Sequence, residues 1–328
     1  MKTANSPAFR KLCVAPMMAW TDPHCRYLLR LCSPNARLFT EMVTTGALLN
    51  GPRRELLAFD PEEHPVAIQL GGCEPADLAR AAAIAQTAGF DEINLNLGCP
   101  SPRVSKGRFG ACLMREPELA AACIGAMRDA CRLPVTAKIR LGVDDHDSDA
   151  LLHDFVARLV EAGCHALYLH ARKAYLSGLS PAQNRDIPPL QPERAYGLKR
   201  QFAELPIILN GGISREEEAA EHLRHVDGVM IGRAAYHDPM FLSRLDARLS
   251  GRAPVPLEAV VTGYLAYMDR QLLRGTRLHD MTRHMLGLFK GVPGARRYRR
   301  LLSDSARLKA NDLNLVHEAI AATTAQAA

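Results

Sequence analysis

Long apolar runs are missing from this chain: nowhere in its 328 residues is there a stretch near the roughly 18 consecutive apolar side chains that a membrane span needs. Residues 1–10 are polar and lack the apolar segment of a secretory leader. A cytoplasmic protein without a membrane partner is therefore expected. The nine cysteines stand singly, with no C-x-x-C pair, which excludes the usual zinc and thioredoxin-like patterns. No metal is expected, and in a reducing compartment most of these thiols should be small buried hydrophobes. No G-x-G-x-x-G follows the first strand-like run and no Walker A sequence occurs, so a dinucleotide-binding doubly wound sheet and a P-loop both lack their fingerprints. No large excess of one charge is present either. A net charge of +6 permits a nucleic-acid partner without requiring one. No protein partner is predicted.

What is present is the composition of a globular protein, 48% hydrophobic and 23% charged, in a length that fits a barrel of roughly 250 residues plus a smaller unit. Eight short β-rich runs recur at residues 12–15, 38–41, 66–70, 92–95, 135–139, 166–170, 207–210 and 228–231. Amphipathic helical patterns lie between them, for example at 75–88, 116–130, 148–162 and 215–223, with glycine stops at Gly89 and Gly163. Eightfold βα alternation predicts an α/β fold, a closed (β/α)8 TIM barrel, over an open sheet built from the same units. Glycine and proline break the pattern across residues 250–256, and no strand signal follows. We therefore expect a catalytic barrel at 1–250 and an all-helical domain at 251–328, its helices starting near Leu257. Lys and Arg outnumber Asp and Glu between Arg252 and Lys309, so the C-terminal part is the segment expected to meet an anion.

The active site of such a barrel lies at the C-terminal ends of its strands. In strand order those ends carry Pro16-Met17, Glu41, Gln69, the segment from Asn94 through Asn96 to Cys99-Pro100, Lys138 with Arg140, His170, Asn210-Gly211-Gly212, and Gly232-Arg233. The last two groups suggest a phosphate site, because glycines let backbone N–H groups approach closely and an arginine adds bidentate charge; tight turns are the bland alternative. Lys138 can be read as a Schiff-base nucleophile, as a cation beside a bound anion or as half of a structural ion pair. His170 can hydrogen-bond the same ligand. Cys99, between a glycine and a proline, should sit in a fixed turn, and a thiol that is mostly protonated at neutral pH can act as an acid.

These stretches resemble the tRNA-dihydrouridine synthase family, and within it the A-type bacterial branch. The resemblance runs from about Lys11 to Ser305 through VAPMMAWTDPHCRYLLR, TEMVTTGALL, HPVAIQLGG, DEINLNLGCPS, GRFGACLM, LNGGI, DGVMIGRAAY and TRHMLGLFKGVPGARRYRR, with HARKAYLSGLSPAQNRDIPPL pointing to the branch. It implies an FMN-binding barrel with a tRNA-binding helical domain, which reduces uridine to 5,6-dihydrouridine at D-loop positions 20 and 20a and draws electrons from NADPH. Position by position it implies that Pro16, Met17, Gln69, Lys138 and His170 hold the ring and ribityl parts of FMN. Asn210, Gly211, Gly212, Gly232 and Arg233 hold its phosphate end. Cys99 is the proton donor, Asn96 holds the uracil, and Arg172, Lys173, Asn184, Arg185, Arg297 and Arg300 contact or orient the tRNA. Ala19 stands where relatives of the branch often carry an acidic residue.

Three other readings are open at this level. A flavin barrel acting on a free pyrimidine explains Lys138, Cys99 and the phosphate loops but leaves the basic helical domain without a purpose. An RNA-binding relative that does not turn over is disfavoured by the intact Cys99, Lys138 and His170. A Lys138 Schiff-base aldolase predicts a colourless protein.

Overall fold

In a computed structural model, which describes residues 10–324, the strand-like runs form eight parallel strands: β1 (Leu12–Val14), β2 (Leu38–Thr44), β3 (Val66–Gly71), β4 (Glu92–Asn96), β5 (Val135–Arg140), β6 (Leu167–His170), β7 (Ile207–Asn210) and β8 (Gly228–Ile231). Each pairs with its sequence neighbour from β2 to β8, and β8 pairs with β1. A parallel bridge between Cys13 and Arg37 closes the ring, with Val14 N–H donating to Arg37 O and Arg37 N–H to Leu12 O, both at 2.9 Å. The eightfold pattern therefore gives the expected closed barrel. β2 carries an irregularity between Phe39 and Met42, where the Thr40 hydroxyl takes over as acceptor for the Gln69 N–H at 3.0 Å.

Alternation along the strands decides what fills the barrel. Cys13, Ala15, Phe39, Ala67, Ala166, Tyr168, Ile208 and Met230 form an apolar interior with Met17 packed against it. β4 and β5 contribute nothing to that cluster and carry polar side chains in steps of two instead, Glu92, Asn94 and Asn96 on β4 and Thr136, Lys138 and Arg140 on β5. The helices outside follow local signals. Pro75–Ala88 starts with proline at its first position and stops where Gly89 turns left-handed at φ 94°, and Asp149–Glu161 is capped by Ser148.

Compactness divides the chain differently from its order in sequence. One unit comprises the described residues up to Met18 together with Asn35–Gly232; the other comprises Ala19–Pro34 and the described residues from Arg233 on. The helix Pro23–Cys32, which follows β1 where a barrel's first outer helix is expected, thus belongs with the C-terminal helices, and so does Pro239–Ser250. The reason is its apolar face. Tyr27, Leu28 and Cys32 are buried in one cluster with Val260, Tyr264, Tyr267, Met268, Met281 and Met285, and each such side chain contributes about 1.5–3 kcal/mol by leaving water. The segment is also tied down by charge: the Asp22 carboxylate accepts from the buried His284 at 2.9 Å and from Arg283. Among the described residues no helix is long and apolar enough to cross a membrane.

Candidate active site

The two ends of the barrel interior are built from the same strands and differ in charge. At the N-terminal end Glu92, fully buried, accepts from Arg10 at 2.9 Å and from the hydroxyls of Thr136 and Tyr168 at 2.8 Å, with Arg37 at 3.3 Å. At the C-terminal end Lys138, Arg140 and His170 share a rim: Asn96 is level with Lys138, and Arg140, His170 and Asn210 are level with one another on β5, β6 and β7.

A chain of hydrogen bonds connects the two ends. The Cys99 N–H donates to Asn96 Oδ1 (3.0 Å), the Asn96 amide to Gln69 Oε1 (2.8 Å), the Gln69 amide to Asn94 Oδ1 (2.8 Å), the Asn94 amide to the Thr136 hydroxyl (3.0 Å), and that hydroxyl to Glu92 (2.8 Å). Every donor points toward the carboxylate, which can only accept. The Glu92 carboxylate, set against Arg10 and Arg37, therefore fixes which way each amide faces, and aligned bonds of this kind strengthen one another. Gln69 and Asn96 each keep one N–H for a ligand.

Cys99 is partly exposed and is a free thiol. Its backbone is held on three sides: its N–H by Asn96, the preceding Gly98 carbonyl by Arg140 Nε at 3.0 Å, and its own carbonyl by the Ala111 N–H at 3.0 Å. That last contact needs glycine at 110. Gly110 has φ 77°, and a Cβ there would lie 2.6 Å from the Cys99 carbonyl oxygen.

The Lys138 amine donates to Asn210 Oδ1 at 3.0 Å, and the Asn210 amide donates to Met230 O at 2.8 Å. Desolvation lowers the Lys138 pKa to about 7; repulsion from Arg140 adds to this, and Cys99 opposes it. Desolvation likewise lowers Arg140 to about 10. His170 is held well below the ordinary imidazole range by desolvation and then by Arg140, Lys138, Arg172 and Arg185, so its ring is neutral. The groups acting on this rim are thus cations and the Cys99 thiol, with no carboxylate among those named. The hydrogen bonds of Lys138 and Arg140 are met by amide and carbonyl oxygens, which accept a hydrogen bond without cancelling a charge. Such a site favours an anionic ligand. Beside it Gly211 (φ 124°) and Gly212 (φ 71°) are left-handed and closely packed: a Cβ on Gly211 would come within 2.9 Å of both the His170 ring and the Leu190 side chain, and one on Gly212 within 2.4 Å of Leu190. A Cβ on Gly232 would meet nothing. Arg233 follows it and opens the helix Arg233–His237.

The loop after β6 carries the other expected residues. Arg172 donates to the carbonyls of Asp186 and Pro188. Lys173 pairs with Asp147 at 3.1 Å and lies 5.0 Å over the Tyr175 ring. Arg185 is exposed. Asn184 departs from the expectation of an RNA contact. It is fully buried, its amide donates to the carbonyls of Tyr175, Leu179 and Ser180, and its Oδ1 accepts the Tyr175 N–H at 2.7 Å. It shapes the loop from within. In the second unit Arg297 and Arg300 are exposed on the helix Ala295–Leu301, whose other face is anchored by Ala295 and by Tyr298, a donor to Met285 O at 2.9 Å. Arg140 was visible in sequence as a strand-end residue, but its three loop bonds were not. Asn94, Thr136 and Gly110 carried no local signal of their roles. Among the described residues no group of three or more His, Cys, Asp or Glu side chains is placed to hold a metal.

A family model described as dihydrouridine synthase matches residues 13–325. The chain is 54% identical over 321 residues to a tRNA-dihydrouridine(20/20a) synthase of Xanthomonas axonopodis pv. citri, covering 98% of this chain and 96% of that protein. It is 53% identical over 314 residues to one of Vibrio cholerae (95% and 96%) and 52% identical over 310 residues to one of Escherichia coli K12 (94% and 90%). Among solved structures, morphinone reductase superposes with a TM-score of 0.53 at 13% identity, over 79% of this chain and 94% of that one, a likeness of fold.

Proposed function

Since the chain belongs to the dihydrouridine synthase family, we propose that it reduces uridine in tRNA to 5,6-dihydrouridine at D-loop positions 20 and 20a, with FMN as cofactor and NADPH as electron source. The observation that carries this is the meeting, on one rim, of a thiol on a fixed turn, two cations (Lys138 and Arg140) whose hydrogen bonds go to neutral oxygens, and the left-handed glycines 211 and 212.

These residues fit FMN. Gly211, Gly212, Gly232 and Arg233 suit its phosphate end, since backbone N–H groups and a guanidinium both donate to a phosphate. Lys138, its amine short of a counter-charge, suits the electron-rich side of the ring, and Asn210 aims that amine. Gln69, neutral His170 and the backbone of Pro16 and Met17 suit the ring and ribityl chain. When bound, FMN supplies the hydride that C6 of the uracil receives. Cys99 delivers the proton to C5 from the opposite face, and the positive charge of Lys138 stabilises the thiolate it leaves. Asn96 holds the uracil with its remaining N–H.

A stacked uridine cannot reach the mouth of a barrel, so the base has to be extruded, which costs least in a loop. Arg172, Lys173 and Arg185 on the β6 loop are the contacts proposed beside the extruded nucleotide, with Asn184 as their scaffold, and Arg297 and Arg300 contact phosphates elsewhere on the tRNA. Phosphate contacts set orientation, and orientation selects the uridine.

The test is incubation of the flavin-loaded protein with NADPH and unmodified tRNA transcripts, followed by mapping of dihydrouridine at nucleotide resolution. Product at positions 20 and 20a is the expected result. Product elsewhere overturns the assigned positions, and turnover of free pyrimidines with none of RNA overturns the substrate.

A further inference from the structure

Arg140 is the last residue of β5, only 4% exposed, and uses its guanidinium on carbonyl groups alone. Nε donates to Gly98 O at 3.0 Å, and one terminal nitrogen donates to Lys173 O at 3.1 Å and to Asn184 O at 2.8 Å. The first acceptor lies in the β4 loop immediately before Cys99; the other two lie in the β6 loop.

The Gly98 carbonyl and the Cys99 N–H are the two ends of one peptide plane. Arg140 holds the oxygen end and Asn96 holds the hydrogen end, so that plane has no rotation left and the Cα–Cβ bond of Cys99 is aimed by two side chains from β4 and β5. The same guanidinium grips the loop that carries Arg172, Lys173 and Arg185. We propose that Arg140 is a positioning residue that aims the Cys99 thiol and locks the β4 loop to the β6 loop, so that the proton donor and the segment facing the substrate keep one geometry. This rests on the reading of Cys99 as the acid in uridine reduction. A planar fork reaches three carbonyls in two directions, whereas a lysine ammonium on a flexible stem keeps the charge and loses the fork. Placement is what the fork adds, and a shift of about 1 Å in a reacting group can cost roughly 100-fold in rate.

The experiment is a mutant cycle on flavin-loaded protein: wild type, Arg140→Lys, Cys99→Ala and the double variant. Two rates are read in single turnovers by flavin absorbance, reduction by NADPH and reoxidation by tRNA transcript. Arg140→Lys should leave the NADPH step within about twofold and slow the tRNA step about 10- to 100-fold. In the Cys99→Ala background the same substitution should slow the tRNA step several-fold less than in wild type, the remainder being its hold on the β6 loop, because residues acting as one unit are not additive. A merely structural arginine gives losses that multiply, or a slower NADPH step, and either result overturns the proposal. If Arg140→Lys fails to retain flavin, Arg140→Gln, which keeps one donor for Gly98 O, replaces it; loss of flavin in both also overturns the proposal. If wild type reduces flavin but tRNA does not reoxidise it, the reading of the function has failed, a result distinct from a multiplicative cycle in an active enzyme.

Discussion

The two ends of the barrel interior spend similar residues on opposite purposes. At the N-terminal end Glu92 sits among Arg10, Arg37, Thr136 and Tyr168, so buried charge meets opposite charge. At the C-terminal end Lys138 meets Asn210, Arg140 meets backbone carbonyls, and the strongest neighbouring charges of each are cations or the Cys99 thiol. The difference separates what holds the barrel from what the barrel holds. A paired charge is a finished interaction, and removing one partner strands the other. A cation met only by neutral oxygens retains attraction for an anion that the chain does not itself supply. The ends are nevertheless joined, since the amide chain from Glu92 to Cys99 passes orientation from the paired end to the unpaired one.

The largest effect should come from the thiol. Cys99→Ala should lower the rate of dihydrouridine formation by about 10²–10⁴ and leave the NADPH step unaltered; a variant that yields dihydrouridine at the parent's rate removes Cys99 as the acid. Next comes the paired end. Glu92→Ala leaves two buried guanidinium groups without their carboxylate and should cost about 3–5 kcal/mol of stability, read as a lower denaturant midpoint. An unchanged midpoint would mean that the buried charges at this end are met some other way.

Lys138 gives the opposite sign. Its folded pKa near 7 lies below the ordinary 10.5, so between those values the unfolded chain binds a proton that the folded chain does not, and stability from this group rises with pH across that window. Flavin-free Lys138→Met should therefore melt above wild type at pH 7, the gap narrowing toward pH 10 as wild type gains. A gap constant with pH contradicts a depressed amine. The smallest effects belong to the arginines proposed to meet tRNA. Arg185→Ala, Arg297→Ala and Arg300→Ala should each raise the KM for tRNA about 3- to 10-fold with little change in the NADPH step, and each should reduce the salt slope of tRNA binding by roughly 1.

The strands and outer helices were legible because short-range rules produce them: proline at a first helical position, Ser148 as a cap, glycines 89 and 163 in left-handed turns. The rim was legible because a barrel's chemistry collects where its strands end. Partners distant in sequence were not. Arg140 bonds residues 42, 33 and 44 positions away, and Glu92, at the start of an apolar run, gave no sign of its two arginines. Asn184 is expected from sequence to contact the tRNA, yet the loop folds around it. Likewise nothing local in Pro23–Cys32 tells that its apolar face finds the C-terminal helices, since amphipathic spacing states that a face will be buried and not against what.

The contrast between the ends is tested most directly by titrating FMN into flavin-free protein and measuring affinity for wild type, Lys138→Met and Arg10→Met under conditions where all three are folded. One FMN per chain is expected, with weaker binding in Lys138→Met by at least about tenfold, which is about 1.4 kcal/mol, and wild-type affinity in Arg10→Met. Equal affinity in Lys138→Met, or a loss confined to Arg10→Met, would contradict the assignment of the unpaired end as the seat of the anion.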